Sequence, residues 1–247
     1  MSELKWLSAA DGPDCLPDPA EALIEPNGLL AAGGSLEPEW LLESYRRGIF
    51  PWFETGQPIL WWSPDPRTVL EPDEFNVSRS LRKRLRSGQY RVTADRDFGG
   101  VISACSEPRS YTDSTWITPT MLTAYTRLHE LGWAHSFEAW TDDTLVGGLY
   151  GVAIGKVFFG ESMFARQSDA SKVAFWHAIR FLSASGFELI DCQLPSAHLT
   201  RLGATSMPRS EFLSRLSGLT ESAGMPGRYR EAFEAGLEPE PRLKSSA

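Results

Sequence analysis

The segment FELIDCQL, residues 187–194, carries an acid and an amide two positions apart. Because side chains alternate across a β-strand, Asp191 and Gln193 are expected on one face, with Ile190 and Cys192 on the other. A carboxylate beside an amide can orient an attacking amine and accept its hydrogen bonds. A surface strand shows the same alternation without any function, so this pattern leaves both interpretations open.

A second candidate is Glu161, which lies inside the apolar segment KVFFGESMF, residues 156–164. A carboxylate is costly to bury without a partner. Glu161 therefore either lies at a strand edge in water or receives a cationic group of a ligand. In the second case, Leu149, Phe158 and Met163 are expected to wall an apolar pocket nearby.

The sequence contains no phosphate-binding loop, dinucleotide fingerprint or nucleophile motif. Its cysteines and histidines are widely separated, and no two of them have the spacing of zinc ligands. They are Cys15, Cys105, Cys192, His129, His135, His177 and His198. We therefore expect group transfer without a metal, a cofactor or a disulfide framework.

A dense block of positive charge, SRSLRKRLRSGQYR, spans residues 78–91 of a chain whose formal net charge is −8. On a helix, Leu81 and Leu85 fall on one side and four cations fall on the other. The four cations are Arg79, Arg82, Lys83 and Arg86. They have no glutamate four residues away to offset their repulsion. The block is either a solvated surface or a binding site for a polyanion such as nucleic acid, which the acidic remainder of the chain would repel.

The elements that must position these residues indicate an α+β protein. Helices are expected at 38–47, 119–131, 169–185 and 197–202, from apolar spacing and from Thr118 and Gly132 as start and stop signals. Three apolar runs within residues 134–164 predict an antiparallel meander. Glycines at 147, 148 and 151 suggest a bulge or a close approach of ligand. A meander followed by helix, strand and helix is the order of the GNAT acyltransferases.

Composition divides the 247 residues into three parts. Residues 1–66 are rich in Pro and Trp and predict a small N-terminal domain. Residues 67–230 predict the larger GNAT-like domain with a mainly antiparallel sheet flanked by helices, and residues 231–247 a flexible tail. Most aromatic rings of 50–62 are expected in the small core, although Trp52 could also stack on a nucleobase.

The sequence shows no signal peptide and no apolar run of membrane-spanning length. We therefore expect a cytoplasmic protein, and a monomer.

Several segments together resemble the leucyl/phenylalanyl-tRNA–protein transferase family. They are EPNGLLAAGG (25–34), YRRGIFPWF (45–53), ILWWSPDPR (59–67), TWIT (115–118), YGVAIGKVFFGESMF (150–164) and LIDCQ (189–193). The resemblance implies a small domain joined to a GNAT-like domain, without metal or nucleotide cofactor. It implies transfer of Leu or Phe, with Met as a further candidate, from aminoacyl-tRNA to the α-amino group of proteins that begin with Arg or Lys. Such transfer marks the acceptor for degradation.

The resemblance also implies roles for individual residues. Asp191 and Gln193 match the pair associated with amine activation, and Glu161 matches an acceptor-site carboxylate. Trp52 and Trp116 match aromatic residues near the terminal adenosine. The amino-acid pocket is matched by Leu149, Phe158, Met163 and Ile190. Ala178 and Leu182 depart from the family pattern, which has larger aromatic side chains there and thus a different pocket width.

Two other classes of protein fit parts of the sequence. An acyl-CoA-dependent GNAT acetyltransferase would share the fold, but residues 165–172, ARQSDASK, lack the glycine-rich run that usually holds the pyrophosphate. A non-catalytic RNA-binding module would explain the basic block and leave Glu161, Asp191 and Gln193 without a role. The residues do not indicate whether Asp191 or a tRNA ribose hydroxyl takes the proton of the amine.

Overall fold

The computed structural model describes residues 4–107, 117–225 and 227–236. The helices within these ranges are α1 (Pro38–Arg46), α2 (Arg79–Arg86), α3 (Phe98–Ser106), α4 (Pro119–Glu130), α5 (Ala170–Ala184), α6 (Ala197–Arg201), α7 (Arg209–Glu221) and α8 (Arg230–Gly236). The strands are β1 (Lys5–Leu7), β2 (Leu29–Gly33), β3 (Phe50–Pro51), β4 (Leu60–Trp62), β5 (Arg67–Leu70), β6 (Arg91–Ala94), β7 (Ala134–Thr141), β8 (Thr144–Ile154), β9 (Val157–Ala165), β10 (Leu189–Gln193) and β11 (Thr205–Met207).

The N-terminal part is built on a small sheet with strand order β1-β2-β4-β3. Two tryptophans lie in the core of this part: Trp40 and Trp61 are buried and stack with ring centroids 6.1 Å apart. The Trp61 Nε1 group donates a hydrogen bond to the Gly33 carbonyl at 2.8 Å, so this buried polar atom is satisfied. Trp52 differs from these rings, since 40% of its surface remains exposed.

The second sheet has the order β11-β5-β10-β9-β8-β7-β6. Neighbouring strands run antiparallel except β9 and β10, which are parallel. Buried side chains of α3 and α4 belong to one apolar cluster and those of α5 to another, one on each side of this sheet. The α+β prediction, with a mainly antiparallel sheet flanked by helices, is confirmed.

The predicted meander is β7, β8 and β9, and the predicted helices are α1, α4, α5 and α6, each within one or two residues of its expected bounds. Thr118 caps α4 by accepting a hydrogen bond from the Met121 amide at 3.3 Å. The first cluster joins side chains of both sequence parts, with Trp40 and Tyr45 beside Tyr125 and Phe159. The domain boundary after residue 66 therefore stays a prediction.

The glycines of β8 serve packing. A Cβ at Gly147 would lie 2.6 Å from the Cβ of Ala170, and one at Gly151 would lie 2.3 Å from the Phe159 carbonyl oxygen. Both distances are far below a normal contact, so only glycine lets α5 and β9 approach this closely. Of the two expectations for these glycines, the bulge occurs between Tyr150 and Gly151. At Gly147 and Gly151 the close approach is made by α5 and β9 and not by a ligand.

The chain beyond residue 230 is ordered further than expected. Residues 230–236 form α8, whose Phe233 is buried, and the preceding Tyr229 donates its amide hydrogen to Asp95 Oδ2 at 2.8 Å. The start of the predicted tail at residue 231 is therefore wrong, because Phe233 anchors this stretch on the core. Residues 237–247 lie outside the described residues. In the described part of the chain, every helix is too short or too polar to cross a membrane.

Candidate active site

The parallel pairing of β9 and β10 ends at Phe159 and Asp191, and beyond this point the two strands separate. Two cavities, of about 400 Å³ and about 220 Å³, open where the strands part. Glu161 of β9 and Cys192 and Gln193 of β10 line both of them. A group held in one cavity can therefore meet a group held in the other at these three side chains.

The larger cavity has mainly apolar walls. Leu149 and Met163 line it, as the sequence predicted, and so does Ile190, which the family resemblance implied. Phe158 does not join these three: it is fully buried and packs edge-on against Phe137 in the core, with ring centroids 6.1 Å apart. Its assignment to the wall is corrected: Phe158 shares the sheet face of Ile190, but it lies deeper, inside the apolar core behind the wall.

Helix α5 contributes Phe175 to the same cavity. Ala178 and Leu182, the two positions that depart from the family pattern, are fully buried in the core beneath the helix. Phe175, one turn nearer the start of α5 than Ala178, therefore provides the aromatic wall on the α5 side of the cavity.

Glu161 lies at the junction of the two cavities and is only partly exposed. Its Oε1 atom accepts hydrogen bonds from the Tyr45 hydroxyl at 2.7 Å and from Gln193 Nε2 at 3.2 Å, and its Oε2 atom accepts one from the Tyr125 hydroxyl at 3.0 Å. The two tyrosine hydroxyls also contact each other. Of the two interpretations of the sequence, the edge position in water is wrong.

Burial raises the pKa of Glu161 to about 7, although the bonds from Tyr45 and Tyr125 oppose this shift. The number of protons available to the three groups agrees with a raised pKa of Glu161. Two tyrosines carry two hydroxyl protons, but the three oxygen groups make three mutual contacts. An ionised Glu161 accepts from both hydroxyls, whereas a protonated one supplies the third proton by donating to a tyrosine oxygen, so Glu161 is poised between its neutral and ionised forms near neutral pH.

Asp191 lies behind this junction, in a fully buried ion pair with Arg67. Arg67 donates from Nε to Oδ1 at 2.8 Å and from Nη2 to Oδ2 at 2.6 Å. The guanidinium is enclosed between the rings of Phe50 and Phe212, at 4.8 Å and 4.7 Å from their centroids, and also donates to the Gly48 carbonyl at 3.1 Å. Asp191 has no exposed surface, so the expectation that its carboxylate meets an incoming amine directly is corrected.

Gln193 makes the connection between this pair and the cavities. Its backbone has φ of 55°, a left-handed conformation that is uncommon outside glycine, and the pairing register with β5 shifts at this point. The backbone amide nitrogen of Gln193 donates to Asp191 Oδ1 at 3.0 Å. Asp191 therefore holds the backbone of Gln193 in the turn that directs its side chain towards Glu161.

Trp52 lines the smaller cavity together with Phe50, Pro51 and Leu194. It is tilted against Trp62 with ring centroids 5.4 Å apart, and Trp62 Nε1 donates to the Trp52 carbonyl at 2.7 Å. The Trp52 backbone is thus fixed while its ring stays partly exposed beside the cavity, as a base-stacking residue requires. Trp116, the other predicted stacking residue, lies outside the described residues.

The basic block forms α2, capped by Ser78, whose hydroxyl accepts from the Leu81 amide at 3.2 Å. Leu81 is buried and Leu85 partly buried, as expected. Arg79, Lys83 and Arg86 are exposed and Arg82 is half-buried. None of these four makes an ion pair with a described residue.

Sequence reasoning missed Arg67, Tyr45, Tyr125 and Phe175. The two tyrosines fall on apolar helix faces, which predicts a place in the core, and their rings do lie there. Only the hydroxyls reach Glu161. Arg67 had a usable signal, because a charged residue between WWSPDP and an apolar strand is expensive to bury without an acid partner.

The order of helices and strands around the two cavities defines the class of fold. A meander, a helix, a parallel strand and a further helix are the element order of the GNAT-like acyltransferases, and the cavities lie where the central parallel strands part. No group of described residues could hold a metal ion.

Comparison with known proteins identifies the family. The model of the leucyl/phenylalanyl-tRNA protein transferase matches residues 69–217, and the model of that protein's N-terminal domain matches residues 34–65. The chain belongs to this family of aminoacyltransferases.

Curated relatives carry the same family name. The Stutzerimonas stutzeri protein is 59% identical over 214 residues, covering 87% of this chain and 94% of the relative. The Aromatoleum aromaticum protein is 56% identical over 226 residues, covering 92% and 94%. The Pseudomonas aeruginosa protein is 57% identical over 213 residues, covering 86% and 93%. Each is named a leucyl/phenylalanyl-tRNA–protein transferase.

Solved structures are only distantly similar. L-PGS from Bacillus licheniformis matches 70% of this chain and 55% of its own, with a TM-score of 0.40 and 11% identity. A GCN5-related N-acetyltransferase from Kribbella flavida matches 70% and 61%, with a TM-score of 0.34 and 13% identity. Likenesses this low support no functional inference.

Proposed function

We propose that this protein transfers leucine or phenylalanine, with methionine as a third candidate, from aminoacyl-tRNA to the α-amino group of proteins that begin with arginine or lysine. The product is a new peptide bond, and the modified N-terminus marks the acceptor for degradation. One observation carries the proposal: Glu161 and Gln193 are shared by an apolar cavity and a cleft with an accessible tryptophan.

The chemistry needs little more than alignment. The aminoacyl ester is already activated, so the amine nitrogen attacks its carbonyl carbon, the ester C–O bond breaks, and the tRNA leaves with a free ribose hydroxyl. Correct positioning of two bound reactants can supply much of the rate enhancement. An N-terminal amine has a pKa of about 7.7–8.0, so a substantial minority is neutral at pH 7 and ready to attack.

The larger cavity suits the side chain of the donor amino acid. Leu149, Met163, Phe175 and Ile190 offer apolar surface and no charged partner. Such walls accept leucine, phenylalanine and methionine with modest discrimination. They reject charged side chains, because the carboxyl at the edge of this cavity, Glu161, is engaged by the acceptor. Trp52 in the adjoining cavity provides a ring on which the terminal adenine can stack. The same role for Trp116 remains a prediction from the family resemblance.

Glu161 suits the cationic side chain of the acceptor. An approaching guanidinium or ammonium group lowers the pKa of a carboxyl, and the value of about 7 in the free protein means that only a small shift ionises it. The hydroxyls of Tyr45 and Tyr125 then donate to the carboxylate and hold it in place.

Gln193 suits the α-amine. Because its Nε2 atom donates to Glu161 at 3.2 Å, the carbonyl oxygen of the same amide is the group left to accept from the amine. Asp191 then acts as a positioning residue, through the Gln193 backbone, and Arg67 fixes Asp191. The burial of Asp191 favours the ribose hydroxyl over this carboxylate as the final carrier of the proton.

Helix α2 suits the phosphates of the tRNA acceptor stem. The cations that make no ion pair with a described residue are Arg79, Arg82, Lys83 and Arg86. Contacts with phosphates depend on charge and position but not on base identity, which fits an enzyme that accepts more than one tRNA.

Single-turnover transfer of labelled phenylalanine from Phe-tRNA to an Arg-initiated peptide tests the proposal. We expect labelled peptide with an added N-terminal phenylalanine, and none with a peptide whose amine is acetylated. Absence of transfer, together with acetyl-CoA binding by calorimetry, would instead favour the acetyltransferase alternative. Tight tRNA binding without transfer would favour a non-catalytic RNA-binding module.

A further inference from the structure

The larger cavity also has a polar wall. Helix α6 supplies Ser196 and His198 to the lining, together with Leu199. His198 is half-buried, and its ring makes no hydrogen bond and no ion pair with another residue of the described ranges. An imidazole at a cavity wall with no protein partner in those ranges has both ring nitrogens available to a bound molecule.

This polar wall lies close to the junction of the two cavities. Ser196 follows Gln193 by three residues, so their Cα atoms are no more than about 11 Å apart. The chain turns sharply between them, because the Leu194 amide donates to the carbonyl two residues before it at 2.7 Å. Ser196 then caps α6 by accepting a hydrogen bond from the Leu199 amide at 3.1 Å. His198, in the first turn of α6, is therefore held near the place proposed for the donor ester.

Helix α6 is also held from outside the cavity. The Asn76 amide donates to the Leu202 carbonyl at 2.9 Å, and Asn76 Nδ2 donates to the Arg201 carbonyl at 3.1 Å. The preceding residue, Phe75, packs edge-on against Phe175 with ring centroids 5.4 Å apart. Residues 75–76 therefore connect the α6 wall of the cavity to the aromatic wall that α5 provides.

His198 is uncharged at neutral pH. Burial lowers its pKa, and the positive charges of Lys172 and Arg201 lower it further. A neutral imidazole has one nitrogen that donates a hydrogen bond and one that accepts. The same positive charges favour the neutral form of an α-amine, whose ordinary pKa is about 7.7–8.0. An amine N–H group can then donate to the unprotonated ring nitrogen.

The proposed donor carries an α-amino group that needs such an acceptor. The α-carbon bonds to the amine nitrogen, to the side chain and to the ester carbonyl carbon. If the side chain lies against Met163 and Phe175 and the ester lies at Gln193, the amine nitrogen is two bonds from each and lies in the larger cavity. An amine is costly to bury there without a hydrogen bond. Glu161 and Gln193 do not serve it, because the acceptor engages both.

We propose that His198 accepts a hydrogen bond from the α-amino group of the donor amino acid, and thereby selects aminoacyl esters over acyl esters that lack the amine. This inference rests on the proposed function. Other polar side chains of the lining suit this role less well. Ser162 and Ser196 already have partners within the protein, and the hydroxyl of Tyr150 is buried.

Two analogues of the donor isolate this contact. In 3′-deoxy-3′-(L-phenylalanylamino)adenosine an amide replaces the reactive ester, and in its 3-phenylpropionyl counterpart a hydrogen also replaces the α-amine. The amide resists transfer, so calorimetry measures binding alone, without the difference in reactivity between the two esters. We expect the wild-type protein to bind the amine-bearing analogue about five- to tenfold more tightly, as one hydrogen bond between neutral groups provides.

His198→Phe keeps a planar ring and removes both ring nitrogens. This variant should bind the two analogues equally, each within about twofold of the wild-type affinity for the analogue without an amine. His177→Phe is the matched control, because His177 is another half-buried histidine with a lowered pKa and it lines neither cavity. The control should keep the wild-type preference, and melting temperatures check that both variants fold.

Equal binding of the two analogues by the wild type, or an undiminished preference in His198→Phe, would overturn this role of His198. Loss of the preference in His177→Phe as well would also overturn it, since the effect would then not depend on the cavity wall. Failure of the proposed function has a different signature, because neither analogue would bind the wild type and Phe-tRNA would give no labelled peptide.

Discussion

Arg67 and Asp191 form a bidentate ion pair in which neither side chain has exposed surface. The two hydrogen bonds measure 2.8 Å and 2.6 Å. The same carboxylate also accepts a hydrogen bond from the backbone amide of Gln193 at 3.0 Å. Gln193 thereby keeps a left-handed backbone, a conformation that costs on the order of 1–3 kcal/mol for an ordinary residue. The pair therefore orders a strained residue at the junction of the two cavities.

Substitutions in this pair should separate stability from catalysis. Asp191→Ala leaves Arg67 buried and unpaired, which costs about 3–5 kcal/mol of unfolding free energy. The double variant Arg67→Met/Asp191→Leu removes both charges, so most of that stability should return. Turnover should stay roughly 10²-fold low in both, because neither positions Gln193. Denaturant unfolding and kcat check this, and recovery of kcat in the double variant would contradict the positioning role.

The pH profile should report Glu161. Its pKa of about 7 means that protonation below pH 7 removes the charge that attracts a cationic N-terminal side chain. The acceptor amine, with a pKa of about 7.7–8.0, also protonates as the pH falls. The logarithm of kcat/KM for an Arg-initiated peptide should therefore rise with a slope of two below pH 7 and a slope of one between about pH 7 and 8.

Glu161→Gln should leave a slope of one at every pH below about 8, set by the amine alone. It should also reduce the preference for Arg over Ala at the peptide N-terminus by about 1.5–3 kcal/mol. Steady-state kinetics with a matched pair of peptides measure both quantities. A variant as selective as wild type would remove Glu161 from acceptor recognition.

The donor pocket should discriminate by size and polarity. Phe175→Ala enlarges the larger cavity, so transfer of leucine should weaken more than transfer of phenylalanine, within about 1–3 kcal/mol. Ala178→Ser serves as a control on the same helix, since Ala178 lies in the core away from the cavity. Competition between Leu-tRNA and Phe-tRNA gives the ratio. Efficient transfer of aspartate or lysine by the wild type would mean that the pocket lies elsewhere.

The basic face of α2 should matter only for donors with an acceptor stem. Replacing Arg82 and Lys83 by Glu should weaken use of Phe-tRNA strongly and leave phenylalanyl-adenosine nearly unchanged. Neutral replacements should reduce the slope of log affinity against log salt by about 0.7–0.9 for each phosphate that the variant no longer binds. Equal losses with both donors would show that the helix supports the fold instead.

Much of the fold was predictable because local signals agreed with tertiary packing. Thr118 and the apolar face of residues 122–129 specify α4, and the meander follows from three apolar runs separated by turns. The tail was not predictable in the same way, because one buried ring, Phe233, outweighs the polar residues around it.

The site was predictable in part. Alternation predicts Asp191 and Gln193 on one face of the strand, but Gln193 lines the cavities beside Ile190 and Cys192 while Asp191 is buried behind them. Strand periodicity cannot show the register shift that directs Gln193 to Glu161. Arg67 is 124 residues from Asp191 in sequence, so their pairing depends on the neighbouring places of β5 and β10 in the sheet.

The most direct test of the account concerns the side chain of Gln193. Gln193→Gly tolerates the positive φ and keeps the amide that donates to Asp191, so the fold and its melting temperature should be preserved. Only the group that orients the amine is removed. The single-turnover rate of phenylalanine transfer from saturating Phe-tRNA to a saturating Arg-initiated peptide should fall roughly 10²-fold. A folded Gln193→Gly protein that transfers at the wild-type rate would contradict the claim that the amine is aligned at this junction.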